Sequence, residues 1–481
     1  MNVLHRLWQK AVAQVPQLEN VLVLAGGSAG AAVLLALSAP LLSRLYEPRL
    51  LGALAVYASL LSTICGVASL RYEAAIPLAE EENSAIHVMA LSMLVLSAVT
   101  CLVAGVIIVF RNEISVWLQV PELAPYFWLF PVALFGNGVF QIVGYWVLRR
   151  EQYPLIARTR MTQGAGTVAI QLSWGFWNHS LAGLILGDIA GRIAGVYSVS
   201  RFAWREVSLS GLSWKGMKAA AVRYGDFPKL NAAATILTAL GTQIPSILLS
   251  HFFEPAVAGY YSLTSRALSA PASLIGQAVG QTFLVRAATL RTQEIRLRQL
   301  TERTAVLLLA IGIPVFGVVM LDGANLFSTV FGAKWRESGI YARWLAPWFL
   351  LWLIANPLSN LMTVREWQGT TLKYAALECA VKAAALSIGI WSGSDLTAIA
   401  LLGISAFLLS LFTMNRFFHA AYTSLYNVLP DAKLPVLAGL LSFVLAAVCI
   451  QGSDTWQLVL RLSIFLLCYA AISVRNGAYA T

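Results

Sequence analysis

The chain has 481 residues, 58% of them hydrophobic and only 11% charged, with a mean hydropathy of +0.72. A soluble domain carries about 25% charged residues, so the composition excludes a water-soluble globular protein and points to a polytopic helical membrane protein. The net charge of +11 would suit a nucleic-acid binder, but Lys and Arg cluster at the ends of apolar runs, which explains the charge without nucleic acid.

The opening stretch, MNVLHRLWQKAVAQVPQLEN, has Arg6 and Lys10 but no apolar core or small-residue cleavage site, so no signal peptide is expected. Leu4, Leu7, Trp8 and Val12 recur at helical spacing, predicting that residues 1–19 form an amphipathic segment on the cytoplasmic membrane surface. Apolar runs long enough to cross hydrocarbon then predict spans 1–6 at 20–45, 50–77, 85–110, 124–148, 154–176 and 181–204, an N-lobe over 20–204. A polar cytoplasmic link, 205–228, leads to spans 7–12 at 229–252, 259–285, 303–330, 341–364, 371–391 and 396–422, a C-lobe over 229–422. An extra helix pair follows at 433–452 and 456–474, giving twelve to fourteen spans. Cys65, Cys101, Cys379, Cys449 and Cys468 all lie in apolar runs and read as small hydrophobes, with neither disulfide nor metal spacing.

With the N-terminus inside, the inner segments hold 22 Lys and Arg and the outer loops 6. This satisfies the positive-inside rule and places both termini in the cytoplasm. Two stretches echo each other: LLSRLYEPRLLG (Leu41–Gly52) after span 1 and LLSHFFEPAVAG (Leu248–Gly259) after span 7. VPQLEN (15–20) is echoed by FPKLNA (227–232), and RREQ (149–152) by REWQ (365–368), in the same order. An even number of spans separates the copies, so the expected fold is all-α, two six-helix lobes related by a parallel pseudo-two-fold axis along the membrane normal.

At Leu41–Ile76 and Tyr224–Phe283 the sequence resembles the Wzx-type oligosaccharide flippases of the multidrug/oligosaccharidyl-lipid/polysaccharide exporter superfamily. The matching features are the Glu-Pro turn, Leu-Arg-Tyr-Glu-Ala at 70–74, Asp-Phe-Pro at 226–228, Gln-x-Pro at 243–245 and Gly-Gln-x-x-x-Gln at 276–281. The resemblance covers about the first 430 residues. It implies a central cavity opening alternately to each side of a bacterial inner membrane. The implied cargo is an undecaprenyl-pyrophosphate-linked oligosaccharide repeat unit, of O-antigen or exopolysaccharide, with membrane lipids and other polysaccharide assembly proteins as further partners.

Such cargo needs cations for phosphate and amides, hydroxyls and aromatics for sugar. Charge deep in a span is costly and marks candidate sites. Asp188 and Arg192 in span 6, and Glu378 and Lys382 in span 11, lie four apart with the acid first, the favourable intrahelical order. Each pair is either a neutralised packing element or lines the cavity, with Arg192 or Lys382 shared between carboxylate and substrate and Asp188 or Glu378 as an ion-pair or coupling group. Arg266 in span 8 has no acid nearby on its helix and is a candidate phosphate contact; an ion pair to another span or snorkelling is the alternative. Arg71 ends span 2 near the inner face, and Glu73 should not share its helical face; Arg71 is a candidate cargo contact, with snorkelling as the alternative. Around span 8, Ser262, Thr264, Ser265, Ser269, Ser273, Gln277 and Gln281, with Tyr260, Tyr261, Asn231 and Gln243, would form a glycan wall, although Ser and Thr also serve as packing residues. Prolines 131, 245, 271, 314, 347 and 357 should bend their helices.

No GxxxxGK[ST] phosphate loop and no HExxH or paired-His spacing occurs, so neither a cofactor nor a metal is expected. Short outer loops argue against an enzyme such as a polysaccharide polymerase or ligase. A multidrug or cation exporter of the same superfamily, or of the major facilitator type, is the competing transporter; its cavity would call for acids where an anionic cargo calls for Arg or Lys.

Overall fold

A chain that crosses hydrocarbon must satisfy its backbone polar groups internally, and every regular element among the described residues is helical. The computed structural model describes residues 16–207, 211–365, 368–449, 462–466 and 469. The first half holds α1 (Pro16–Leu45), α2 (Pro48–Cys65), α3 (Glu82–Trp117), α4 (Leu129–Arg149), α5 (Tyr153–Trp177), α6 (Leu181–Ala194), α7 (Val196–Glu206) and α8 (Trp214–Arg223). The second holds α9 (Ala232–Phe252), α10 (Pro255–Thr289), α11 (Glu294–Phe331), α12 (Arg336–Leu358), α13 (Asn360–Val364), α14 (Gln368–Trp391), α15 (Asp395–Ala420) and α16 (Leu425–Cys449).

Ten of the predicted spans 1–12 are long and apolar enough to cross a membrane on length and composition. The other two, α5 and α10, are as long but more polar. The protein is thus a multi-pass membrane protein. Residues 1–15 of the predicted amphipathic segment lie outside the described residues, and 16–19 are the first turn of α1. Of the predicted span 456–474 only 462–466 and 469 are described. There Phe465 packs on Leu321, and the Tyr469 hydroxyl donates to the Ala310 carbonyl at 2.8 Å, docking this helix on α11.

The chain divides into two compact units, Met1–Tyr46 with Ala53–Gln243 and Glu47–Gly52 with Ile244–Thr481. In the first, α5 packs between α1 and α6. The α6 seam is a ladder of Gly183, Gly187, Gly191 and Gly195, one per turn, where any Cβ would strike Trp174, Gln171, Thr167 or Thr159 of α5. Small residues let membrane helices approach this closely, and polar groups then bridge them. Gln171 Nε2 donates to the Leu184 carbonyl at 3.0 Å and Gln163 Nε2 to the Arg192 carbonyl at 2.9 Å.

Predicted span 2 is the main departure in this unit. Its helix stops at Cys65, Leu70 and Arg71 take left-handed φ of 53° and 63°, and a 3₁₀ turn runs from Tyr72 to Leu78. Arg149 stabilises that turn by donating to the carbonyls of Ile76 at 3.1 Å and Ala79. The polar link is itself structured: α8 is capped by Ser213, whose hydroxyl accepts from Gly216 N at 3.1 Å.

In the second unit α12 is central, packing against α10, α11 and α15, while α14 pairs with α15 and α16 with α11. The break in α11 falls at Asp322 (φ −147°, ψ 46°) and not at Pro314. Beside it Gly323 and Gly339 bring α11 and α12 into backbone contact. The repeated Glu-Pro turns meet here, because Glu47–Gly52 belongs to this unit. A Cβ on Gly52 would lie 3.0 Å from Gly259 N, and one on Gly259 would lie 3.0 Å from Gly52 N. Contact in which each copy does to the other what it receives is the mark of a local two-fold.

Candidate functional site

Helix α10 separates its polar residues onto two faces. One face carries Tyr261, Thr264, Leu268, Ala272, Gly276 and Gly280, all buried. Thr264 Oγ1 lies 2.7 Å from the Ser338 carbonyl and Asn360 Nδ2 donates to the Gly280 carbonyl at 3.2 Å, so this side is spent on helix packing. On the adjoining face Arg266 and Gln277 are exposed, and Ser262, Ser269, Ser273 and Gln281 are half-buried. Of the residues expected to form a glycan wall, Tyr261 and Thr264 lie on the packing face. Tyr260 stands partly buried at the helix start, edge-on to Trp335 at 5.9 Å and Tyr341 at 6.2 Å. An exposed Arg on a spanning helix costs about 2.5–3.5 kcal/mol against lipid on insertion scales, which marks this stripe as the candidate site.

The sequence offers Arg266 no acid on its own helix and leaves an ion pair to another span as the alternative. The structure does not leave it without a partner. A helical neighbourhood reports only residues three and four away, and a cation this long reaches beyond it.

A second polar stripe lies on α9. Asn231, Thr238 and Thr242 are exposed, with Thr235 and Gln243 half-buried. Their spacing of three and four keeps Asn231, Thr235, Thr238 and Thr242 on one face. The three threonines donate back to their own helix, to Asn231 O at 2.8 Å, Ala234 O at 2.9 Å and Ala239 O at 3.0 Å. Their hydroxyl oxygens remain free to accept. Thr238 and Thr242 were not among the predicted site residues, although their periodicity was legible.

The two acid–base pairs form as the spacing predicts. Arg192 Nε donates to Asp188 Oδ2 at 2.7 Å, and Lys382 Nζ to Glu378 Oε1 at 2.6 Å. Asp188 and Arg192 sit within electrostatic range of Tyr57, and Arg192 also of Cys65. Lys382 has a second partner that no motif disclosed, the face of Trp348 in α12, 4.5 Å from ring centroid to Nζ.

Arg71 corrects an expectation. Arg71 Nη1 binds Glu73 Oε1 at 3.1 Å, although two residues apart. The i,i+2 prohibition holds for a helix, and here the helix has already ended, with Arg71 in the left-handed region. Glu73 is fully buried and also accepts from Ser69 Oγ, while Arg71 Nη2 reaches the Tyr145 hydroxyl at 3.4 Å. Arg71 thus stabilises the turn that replaces the end of span 2.

Residues 41–339 match the model of the family described as polysaccharide biosynthesis protein. No curated protein sequence matches the chain. Among solved structures, the lipid II flippase MurJ in its inward closed conformation aligns with a TM-score of 0.75 at 11% identity, covering 95% of this chain and 99% of that one. An inward-facing multidrug resistance MATE family transporter of the MOP superfamily aligns at 0.53 and 12% identity, over 83% of this chain and 96% of the other. The Vibrio cholerae MATE transporter VcmN in its bent form aligns at 0.50 and 14%, over 84% and 98%. At these identities the likeness establishes a shared transporter fold.

Proposed function

The chain belongs to the polysaccharide biosynthesis protein family, and from that premise we propose that it is a flippase for undecaprenyl-pyrophosphate-linked oligosaccharide repeat units. It moves them from the cytoplasmic to the periplasmic leaflet of a bacterial inner membrane by alternating access, with both termini in the cytoplasm. The observation that carries this reading is the exposed stripe of α10, where a guanidinium at Arg266 and an amide at Gln277 bracket half-buried serines. A cation beside hydroxyls and amides is the chemistry a pyrophosphate joined to sugar calls for. In the first unit the stripe from Asn231 to Thr242, with Gln243, carries hydroxyl and amide chemistry of the same kind.

Arg266 contacts the pyrophosphate in this scheme, and Arg71, Arg192 and Lys382, which bind Glu73, Asp188 and Glu378, hold helix ends and helix packing. A cation exporter on the same fold would need an exposed acid in place of Arg266. The test compares variants at equal membrane abundance. Arg266→Lys keeps the charge without the planar fork and should export partially. Arg266→Ala should insert normally but leave lipid-linked repeat units on the inner leaflet with no surface polymer. Full export by the alanine variant would refute the assignment, and export of an organic cation dependent on Glu378 would favour the drug-exporter reading.

A further inference from the structure

Helices α5 and α7 border an open groove of about 430 Å³ in the first unit, lined by the exposed Arg158, Arg201 and Arg205 together with Ser198, Phe202 and Leu155. Three guanidinium groups around one space repel each other unless an anion lies among them. Elsewhere basic residues near helix ends find carboxylates: Arg150 with Glu82 and Glu206, Arg223 with Glu80, Arg298 with Glu302. Glu206, the acid next to Arg205 in sequence, is taken by Arg150 at 3.0 Å. Among the described residues none of the three lining arginines forms an ion pair.

Helix α7 also tells where the anion comes from. Tyr197 and Trp204 are among its most exposed residues, at 72% and 69%. With Arg201 and Arg205 they recur at i, i+4, i+7 and i+8 and so share one side of the helix. Aromatics beside arginines are the signature of a helix seated at a membrane interface. The Lys and Arg distribution assigns this end to the cytoplasmic face.

We propose that this groove binds the phosphodiester headgroup of an acidic glycerophospholipid of the cytoplasmic leaflet. Arg158 from α5 and Arg201 and Arg205 from α7 grip the phosphate oxygens, and Phe202 and Leu155 meet the glycerol and first acyl carbons. The lipid clamps α7 to α5, next to the glycine seam. Guanidinium forks suit phosphate oxygens, and basic pockets between membrane helices on the cytoplasmic side are known lipid sites. The site is separate from the α10 stripe and does not depend on the flippase reading.

The experiment uses the full-length purified protein and measures its unfolding temperature and the lipid it retains, on titration with cardiolipin, phosphatidylglycerol, phosphatidylcholine or inorganic phosphate. The acidic lipids should raise the unfolding temperature and phosphatidylcholine should not. R158Q and R201Q should each weaken apparent affinity about tenfold, the loss of one charge-assisted contact. R158K/R201K should bind with intermediate strength, and R223Q, a paired arginine outside the groove, should bind as the unmodified chain does. Unchanged binding by R158Q and R201Q, or equal loss in R223Q, would overturn the site. Equal stabilisation by inorganic phosphate alone would overturn the lipid as its source.

Discussion

Asp188–Arg192 and Glu378–Lys382 are the same arrangement in sequence and different in space. In the first, both partners are partly buried, with side-chain exposures of 18% for Asp188 and 25% for Arg192. In the second the burden is unequal: Lys382 is buried at 6%, while Glu378 is exposed at 48% and can be hydrated. Trp348 takes the other side of Lys382 as a cation–π partner. Spacing of four thus ensures that a pair forms, but tertiary packing decides which partner depends on it.

That asymmetry can be broken stepwise. The largest effect should come from Asp188→Ala, which leaves Arg192 uncompensated among α2 and α6 and should destabilise by about 3 kcal/mol. The double variant Asp188→Ala/Arg192→Met should regain most of the loss in a thermal unfolding assay of the purified protein; equal loss in both would show that the carboxylate matters for something other than neutralising Arg192. Next comes Glu378→Ala, which strands a buried ammonium on Trp348 alone and should cost roughly 2 kcal/mol. The smallest effect is expected for Lys382→Met, at most about 1 kcal/mol, because the remaining carboxylate already reaches water and Met fills a similar volume. Reversal of the last two in the same assay would mean that Glu378, not Lys382, is the dependent partner.

Much of the candidate site was legible because polar residues stand out in an apolar chain. Arg266, Gln277, Asn231 and Gln243 all lie on exposed or half-buried positions of α9 and α10. The division of α10 into a packing face and an exposed face was not legible, since Thr264 and Ser269 are alike as residue types. Only the neighbour differs: Thr264 meets the Ser338 carbonyl and Ser269 meets none beyond its own helix. Trp348 could not be paired with Lys382 from sequence because the two lie on different helices. The glycine ladder of α6, by contrast, is readable from its four-residue period.

The sequence by itself determined the solvent of this protein, its helical class, the positions of twelve long helices and the twofold occurrence of Glu-Pro-x-x-x-Gly. Hydrophobic run length, charge placement and residue period are properties of the chain read locally, and hydrocarbon leaves little room for other outcomes. Only the tertiary structure decided that the two Glu-Pro turns clasp each other through Gly52 and Gly259. It also decided that span 2 ends early, so that Arg71 can fold onto Glu73, and that three arginines of α5 and α7 line one open groove. Each of these depends on groups brought together across different helices or on backbone leaving the helical region, and neither is written in the spacing of residues along a single run.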